Sequence, residues 1–280
     1  MSKILIWSTI YSCAFVVAGC GSWASTTQPV QLTTSVGGIP AGYKLVWSDE
    51  FDTPGLPDES KWGYDTSRNS TGWYNSELQY YAAERLENAR VENGQLIITA
   101  RKESLNKAAD YGGQLYTSSR LLTRDKAAWT YGFFEVRAML PCGIGTWPAI
   151  WTLGTGGAWP DDGELDIMEQ VGKDPARIFG TTHSKLSGGV GIGGAMQLPD
   201  ACSVFHNYQM TWTADHVLFG IDNVNYFEFK KVKTDTYAAW PFDKPQYLIL
   251  NLAIGGALGG PVDDNIFPVQ MKIEHVRVYQ

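Results

Sequence analysis

Gly163-Glu164-Leu165-Asp166-Ile167-Met168-Glu169-Gln170-Val171-Gly172 is the stretch that decides the fold. Three carboxylates fall within six residues, interleaved with apolar side chains and bounded by glycines. Successive side chains of a strand point to opposite faces, so this alternation predicts a half-buried strand with Glu164 and Asp166 on one face and Leu165 and Ile167 on the other. Glu169 breaks the pattern, because strict alternation would drive it into the apolar layer. A buried unpaired carboxylate is expensive. One extra residue, a β-bulge around Ile167-Met168, returns Glu169 to the face of the other two acids.

Three carboxylates on one sheet face suit glycosidic bond cleavage, in which one acid protonates the leaving oxygen and another attacks the anomeric carbon or activates water. With the bulge, Glu164 and Glu169 stand four strand steps apart, roughly 13 Å at ~3.3 Å per residue. Side chains leaning together close much of that gap, toward the ~5–5.5 Å of retaining enzymes. An acidic solvated face or a metal site is the competing reading of the stretch taken alone.

The motif and its surroundings resemble glycoside hydrolase family 16, in the bulged form of its laminarinases. The segments that carry the resemblance are Trp159-Pro160, Gly145-Thr-Trp-Pro-Ala-Ile-Trp151, Phe134-Glu-Val-Arg-Ala138, Gly180-Thr-Thr-His183 and Leu250-Asn-Leu-Ala-Ile-Gly-Gly256. It covers residues 42–280. The resemblance implies a jelly roll with a concave substrate cleft, Glu164 as nucleophile, Glu169 as general acid and then base, and no cofactor for catalysis. It also implies Trp147 and Trp151 as glucose platforms, though core packing is open to either, since Pro148 obscures their parity. Trp159 is expected at the cleft mouth and His183 beside Glu169. Asp166, between the two glutamates, is expected to hydrogen-bond Glu164.

Asn75 in Gly72-Trp-Tyr-Asn-Ser-Glu-Leu-Gln79 matches a family segment that binds sugar on the non-reducing side, usually with two asparagines; here Ser76 takes the second place. Arg101 is a candidate for the same side. A calcium ion is often held on the convex face of these proteins, and Glu50, the backbone of Gly94 and Glu274 would be its ligands here. Oxygen donors suit calcium.

The remaining chain fits this frame. Short strand-like runs recur from Lys44 to Tyr279 with Gly-rich turns and almost no helical periodicity. That pattern predicts an all-β, two-sheet sandwich. With 44% hydrophobic and 18% charged residues among 280, the chain can fill a single large core. A net charge of −7 argues against a nucleic-acid footprint, which needs clustered Lys and Arg. Neutral β-glucan needs no such steering, and a monomer is expected.

Residues 1–19 read as an export signal: Lys3, an apolar run from Ile4 to Val17, then Val17-Ala-Gly-Cys20, which looks like a bacterial lipobox. Cys20 would carry the lipid and anchor the protein to a membrane, at the cell surface or in the periplasm; simple cleavage and secretion is the alternative. Residues 20–41, rich in Ser, Thr, Gln and Gly, read as a flexible tether, and 42–280 as the catalytic domain. Cys13 leaves with the signal, so Cys142 and Cys202 remain as a disulfide pair for an oxidising compartment.

The resemblance implies a retaining endo-β-1,3-glucanase. Mixed-linkage glucanase, galactanase, transglycosylase and a non-catalytic glucan-binding module are the rivals.

Overall fold

The computed structural model describes residues 37–280; the export signal, Cys20 and most of the tether lie outside the described residues. Seventeen strands account for nearly all regular structure. In chain order they are β1 (Leu45–Asp49), β2 (Gly63–Tyr64), β3 (Gln79–Tyr81), β4 (Ala89–Glu92), β5 (Gln95–Lys102), β6 (Tyr116–Ser118), β7 (Arg120–Leu122), β8 (Gly132–Met139) and β9 (Thr146–Gly154). Then follow β10 (Glu164–Val171), β11 (Asp174–His183), β12 (Ile192–Gln197), β13 (His206–Trp212), β14 (His216–Ile221), β15 (Val224–Lys230), β16 (Gln246–Ile254) and β17 (Val269–Tyr279). A four-residue helix, α1 (Gly256–Gly259), follows β16.

The strands form a two-sheet β-sandwich of jelly-roll type. One sheet has seven strands in the order β12-β11-β10-β9-β16-β7-β2. The other has ten, running β15-β14-β13-β8-β17-β5-β6-β3, with β1 on β17 and β4 on β5. Non-consecutive neighbours such as β9 and β16 gather distant segments into one surface. The core lies between the sheets. Ile150, Leu165, Ile167, Met168, Leu248 and Leu250 meet Val136, Met210, Phe219, Met271 and Val276 there.

The acidic strand adopts the bulge. On β9, Asp166 pairs with Trp151 and Met168 with Ile150, which leaves Ile167 as the extra residue. On β11, Asp166 faces Thr181 and Glu169 faces Phe179, so Ile167 and Met168 together oppose Gly180. Leu165, Ile167 and Met168 are all buried. Gly180 is required at this point, because an added Cβ would strike Tyr226 and Phe219 of the opposite sheet.

Gly37, in the segment read above as the end of the tether, meets the domain: its N–H donates to the carbonyl of Asn223 in the β14–β15 turn. Cys142 and Cys202 form the expected disulfide, with Cα atoms 5.7 Å apart. It ties the loop after β8, which feeds β9, to the loop before β13. The bridge closes a loop 60 residues long, so its loss should destabilise the domain by roughly 2–4 kcal/mol. Calorimetry of the Cys142→Ser, Cys202→Ser protein should show Tm lower by roughly 5–15 °C. An unchanged Tm would mean that the bridge constrains nothing.

The proposed calcium ligands do not fit a cation. Both carboxylate oxygens of Glu50 accept hydrogen bonds from Arg277, at 2.9 and 2.8 Å. Glu274 Oε2 accepts from Arg137 Nε at 2.6 Å. Gly94 forms the tight β4–β5 turn at φ +74°. Each acid already has a guanidinium as its counter-charge. A calcium ion would have to displace both.

Candidate active site

Parity along the seven-stranded sheet assembles the site. On β9 the side chains of Trp147, Ala149 and Trp151 share one face, because β9 pairs with β16 from Thr146 to Gly154 without a register shift. Pro148 therefore leaves the alternation intact. Across the sheet, Trp147 pairs with Ala253, Ala149 with Asn251 and Trp151 with Ile249 on β16, while Asn251 pairs with Arg120 on β7. With Glu164, Asp166 and Glu169 on β10 and His183 on β11, these side chains line one continuous surface across five strands. Both tryptophans are on it.

The three acids occupy different environments. Glu164 is half-buried, and one of its oxygens accepts a hydrogen bond from Trp159 Nε1. Trp159 itself is 58% exposed, at the mouth of the cleft as expected. Asp166 is only 2% exposed. Glu169 accepts a 2.9 Å hydrogen bond from Trp147 Nε1. Trp147 is 7% exposed, so it is less an open platform than the partner that orients Glu169.

His183 departs from expectation. Its Nε2 lies 3.0 Å from Asp166 Oδ2 rather than beside Glu169, and Asp166 faces this imidazole rather than Glu164. The reason is pairing: His183 lies opposite Glu164 at the start of β10, while Glu169 is beyond the bulge at the other end. His183 Nδ1 is 2.8 Å from the carbonyl of Gly189, which can only accept, so Nδ1 carries a proton. The Nε2 contact with a carboxylate then needs a second proton between them.

The electrostatics agree. Burial pushes Asp166 well above the usual carboxylate range, reinforced by the Glu164 and Glu169 charges. Burial works to lower His183, but the Asp166 carboxylate outweighs it and pushes the imidazole up to about 10. Both shifts mean that a proton is retained in the Asp166–His183 contact near neutral pH. Glu169 is also raised, mainly by burial and further by Glu164, against the Trp147 hydrogen bond that lowers it. Kept protonated into a higher pH range, it has the property that a general acid needs. Glu164, Asp166 and His183 offer donor atoms within 4.8 Å of one another, a spacing also compatible with a metal ion. The indole N–H on Glu164 and the protonated His183 oppose a cation there.

Two residues missed by the sequence reading belong to this surface. Arg120 is buried, 3.1 Å from Asp65, with its guanidinium between Trp73 at 5.4 Å and Trp151 at 4.8 Å. Glu77 accepts from Gln79 Nε2 at 2.9 Å and from Tyr81, whose hydroxyl also accepts from Asn251, and Asn251 in turn accepts from Trp151 Nε1 at 2.7 Å. Burial raises Glu77, and its charge acts on Glu169. A signal for Glu77 was available in its alternation with Leu78 and Gln79; nothing local marked Arg120. Asn75 stands exposed in the turn Tyr74–Ser76, two residues after Trp73, and its side chain hydrogen-bonds Glu77. Arg101 is elsewhere. It belongs to β5 of the ten-stranded sheet and pairs with Glu103 at 3.1 Å.

Residues 76–275 match the glycosyl hydrolases family 16 profile. The chain belongs to glycosyl hydrolase family 16. A beta-glucanase of Rhodothermus marinus is 49% identical over 252 residues, covering 85% of each chain. Among solved structures, the laminarinase from the same organism superposes with a TM-score of 0.79 at 48% identity, over 85% of this chain and 97% of that one. SCLam, a non-specific endo-β-1,3(4)-glucanase of family 16, gives 0.84 at 52% identity, over 90% and 98%. The protein is thus a glycoside hydrolase, and catalysis in this family needs no cofactor.

Proposed function

We propose that the chain is an endo-β-1,3-glucanase that retains anomeric configuration by double displacement. The observation that carries this reading is the β10 bulge, which returns Glu169 to the face of Glu164 with Asp166 between them and His183 against Asp166. Glu164 attacks the anomeric carbon while Glu169 gives its proton to the departing oxygen. Glu169 then deprotonates a water that releases the sugar from Glu164. Asp166 and His183 hold the charge between the two glutamates. Trp151, Arg120 and Asn75 bind glucose units on the non-reducing side, and Trp159 and His183 border the reactive centre.

Similarity to SCLam, a non-specific endo-β-1,3(4)-glucanase, favours mixed-linkage glucan as a second substrate. Incubation with laminarin, lichenan and agarose, followed by product identification, tests the reading. Laminari-oligosaccharides released with retained configuration support it. Cleavage of agarose alone, or of none of the three, overturns it.

The export signal and Val17-Ala-Gly-Cys20 support a lipid-anchored location at a membrane. One acyl chain contributes about 0.8 kcal/mol per buried methylene, so two or more make a stable anchor. Cys20→Ala should move the protein from the membrane fraction to the soluble fraction. Unchanged fractionation would remove the anchor.

A further inference from the structure

We propose that Tyr74 is a distal glucose platform that lengthens the cleft beyond Arg120, on the side away from His183, and sets a preference for long chains. This rests on the glucanase reading above. The seven-stranded sheet runs from β11, with His183, through β10, β9 and β16 to β7, with Arg120, and ends at β2. Tyr74 lies in the connection that leaves this last strand. The connection begins at Asp65, which pairs with Arg120, and passes through Trp73, whose ring lies against the same guanidinium. Trp151 and Trp73 both meet the Arg120 guanidinium, and Tyr74 follows Trp73 directly in the chain.

Tyr74 is 60% exposed. Trp159 and Tyr237 are also exposed, but each has its polar end tied to an acid, Glu164 and Asp162 respectively. The partner of Tyr74 is Arg68, whose guanidinium carbon sits 4.9 Å from the ring centroid. Arg68 Nε also donates to the carbonyl of Gly72, so the guanidinium is itself fixed. One face of the ring is thus backed, its orientation is set, and the other face is open. Pre-set orientation lowers the ordering cost of binding.

The backbone supports the same conclusion. Asn75 and Ser76 both take left-handed conformations, at φ 55° and 58°. Two consecutive non-glycine residues there are costly, and such strain persists only where surroundings enforce it. Here Glu77 N–H donates to the Tyr74 carbonyl and Leu78 N–H to that of Ile254, at the end of β16. The turn is therefore fastened to the cleft sheet itself, with Tyr74 projecting from it. An uncharged apolar ring face with a wet hydroxyl edge suits a neutral pyranose, whose C–H face packs on it while its hydroxyls remain in water.

The test is kcat/KM on a ladder of β-1,3-linked glucose oligomers of increasing length, for wild type, Tyr74→Ala and Tyr74→Trp. Wild type should gain with each added unit until the platform is covered. Tyr74→Ala should lose about three- to tenfold on the long oligomers and on laminarin, with the short ones changed less than about twofold, and Tyr74→Trp should keep the long-chain gain. Equal loss at every length, or no loss at any length while wild type cuts laminarin, would overturn the platform and leave the glucanase reading standing. Absence of any β-1,3-glucan cleavage by wild type would instead remove the reading itself, and the platform with it.

Discussion

Glu164→Ala should slow laminarin hydrolysis by on the order of 10⁴, and added azide should restore turnover with the opposite stereochemistry. The argument is geometric. Glu164 lies on the cleft face at the start of β10, half-buried, with its carboxylate oriented by the Trp159 indole. Truncation removes the atom that bonds to the anomeric carbon and leaves a gap that a small anion can enter. Azide attacks from that face and displaces the leaving sugar, which takes its proton from Glu169. A single inversion converts the β-linkage into an α-glycosyl azide. Product NMR reads the anomer directly. Wild-type turnover in the variant, or azide without effect, would dismiss Glu164 as nucleophile.

Asp166→Asn is the informative contrast, because it keeps the size of the buried side chain but removes the charge facing His183 Nε2. A hydrogen bond to a charged group is worth about 1.5–3 kcal/mol. Turnover should therefore fall by roughly 10–150-fold, well short of the glutamate variants.

The acidic strand was legible because two local rules conflict there. Alternation placed Glu169 in the core and the cost of burying charge forbade it; the extra residue at Ile167 resolves the conflict as expected. Strands β8, β13 and β17 were legible because polar and apolar side chains alternate along most of their length, and β9 and β16 because they are long, largely apolar runs. Strands β2, β3, β6 and β7 have only two or three residues, too few for any period to show. Losing β7 meant losing Arg120, which acquires its meaning only from Asp65, Trp73 and Trp151, all distant in sequence. Arg101 failed for the complementary reason: a strand-end arginine can be recognised locally, but not the sheet that its strand joins. His183 was placed at the site, yet its partner followed from the β10–β11 register, which no single segment encodes.

Glu169→Ala should lower laminarin hydrolysis by about 10³–10⁴, yet the size of the loss should depend on the leaving group. Departure of a sugar alkoxide requires the Glu169 proton. Departure of dinitrophenolate from an aryl laminaribioside does not. On the aryl substrate the variant should show a rapid burst of phenolate as Glu164 is glycosylated, then slow turnover, because no base remains to activate water. Azide needs no deprotonation, so it should speed the second step and give a β-glycosyl azide, through two inversions. In the wild-type protein the alkaline limb of kcat/KM should report loss of the Glu169 proton in the free enzyme, and in Glu169→Ala that limb should vanish for the aryl substrate. Trp147→Phe adds the sign. Trp147 donates to the ionised form and so holds the Glu169 pKa down against burial. Removing the donor destabilises the carboxylate, raises its pKa, and must move the alkaline limb to higher pH. A limb that moves down, or an equal loss on alkoxide and phenolate leaving groups, would assign the proton to a different side chain.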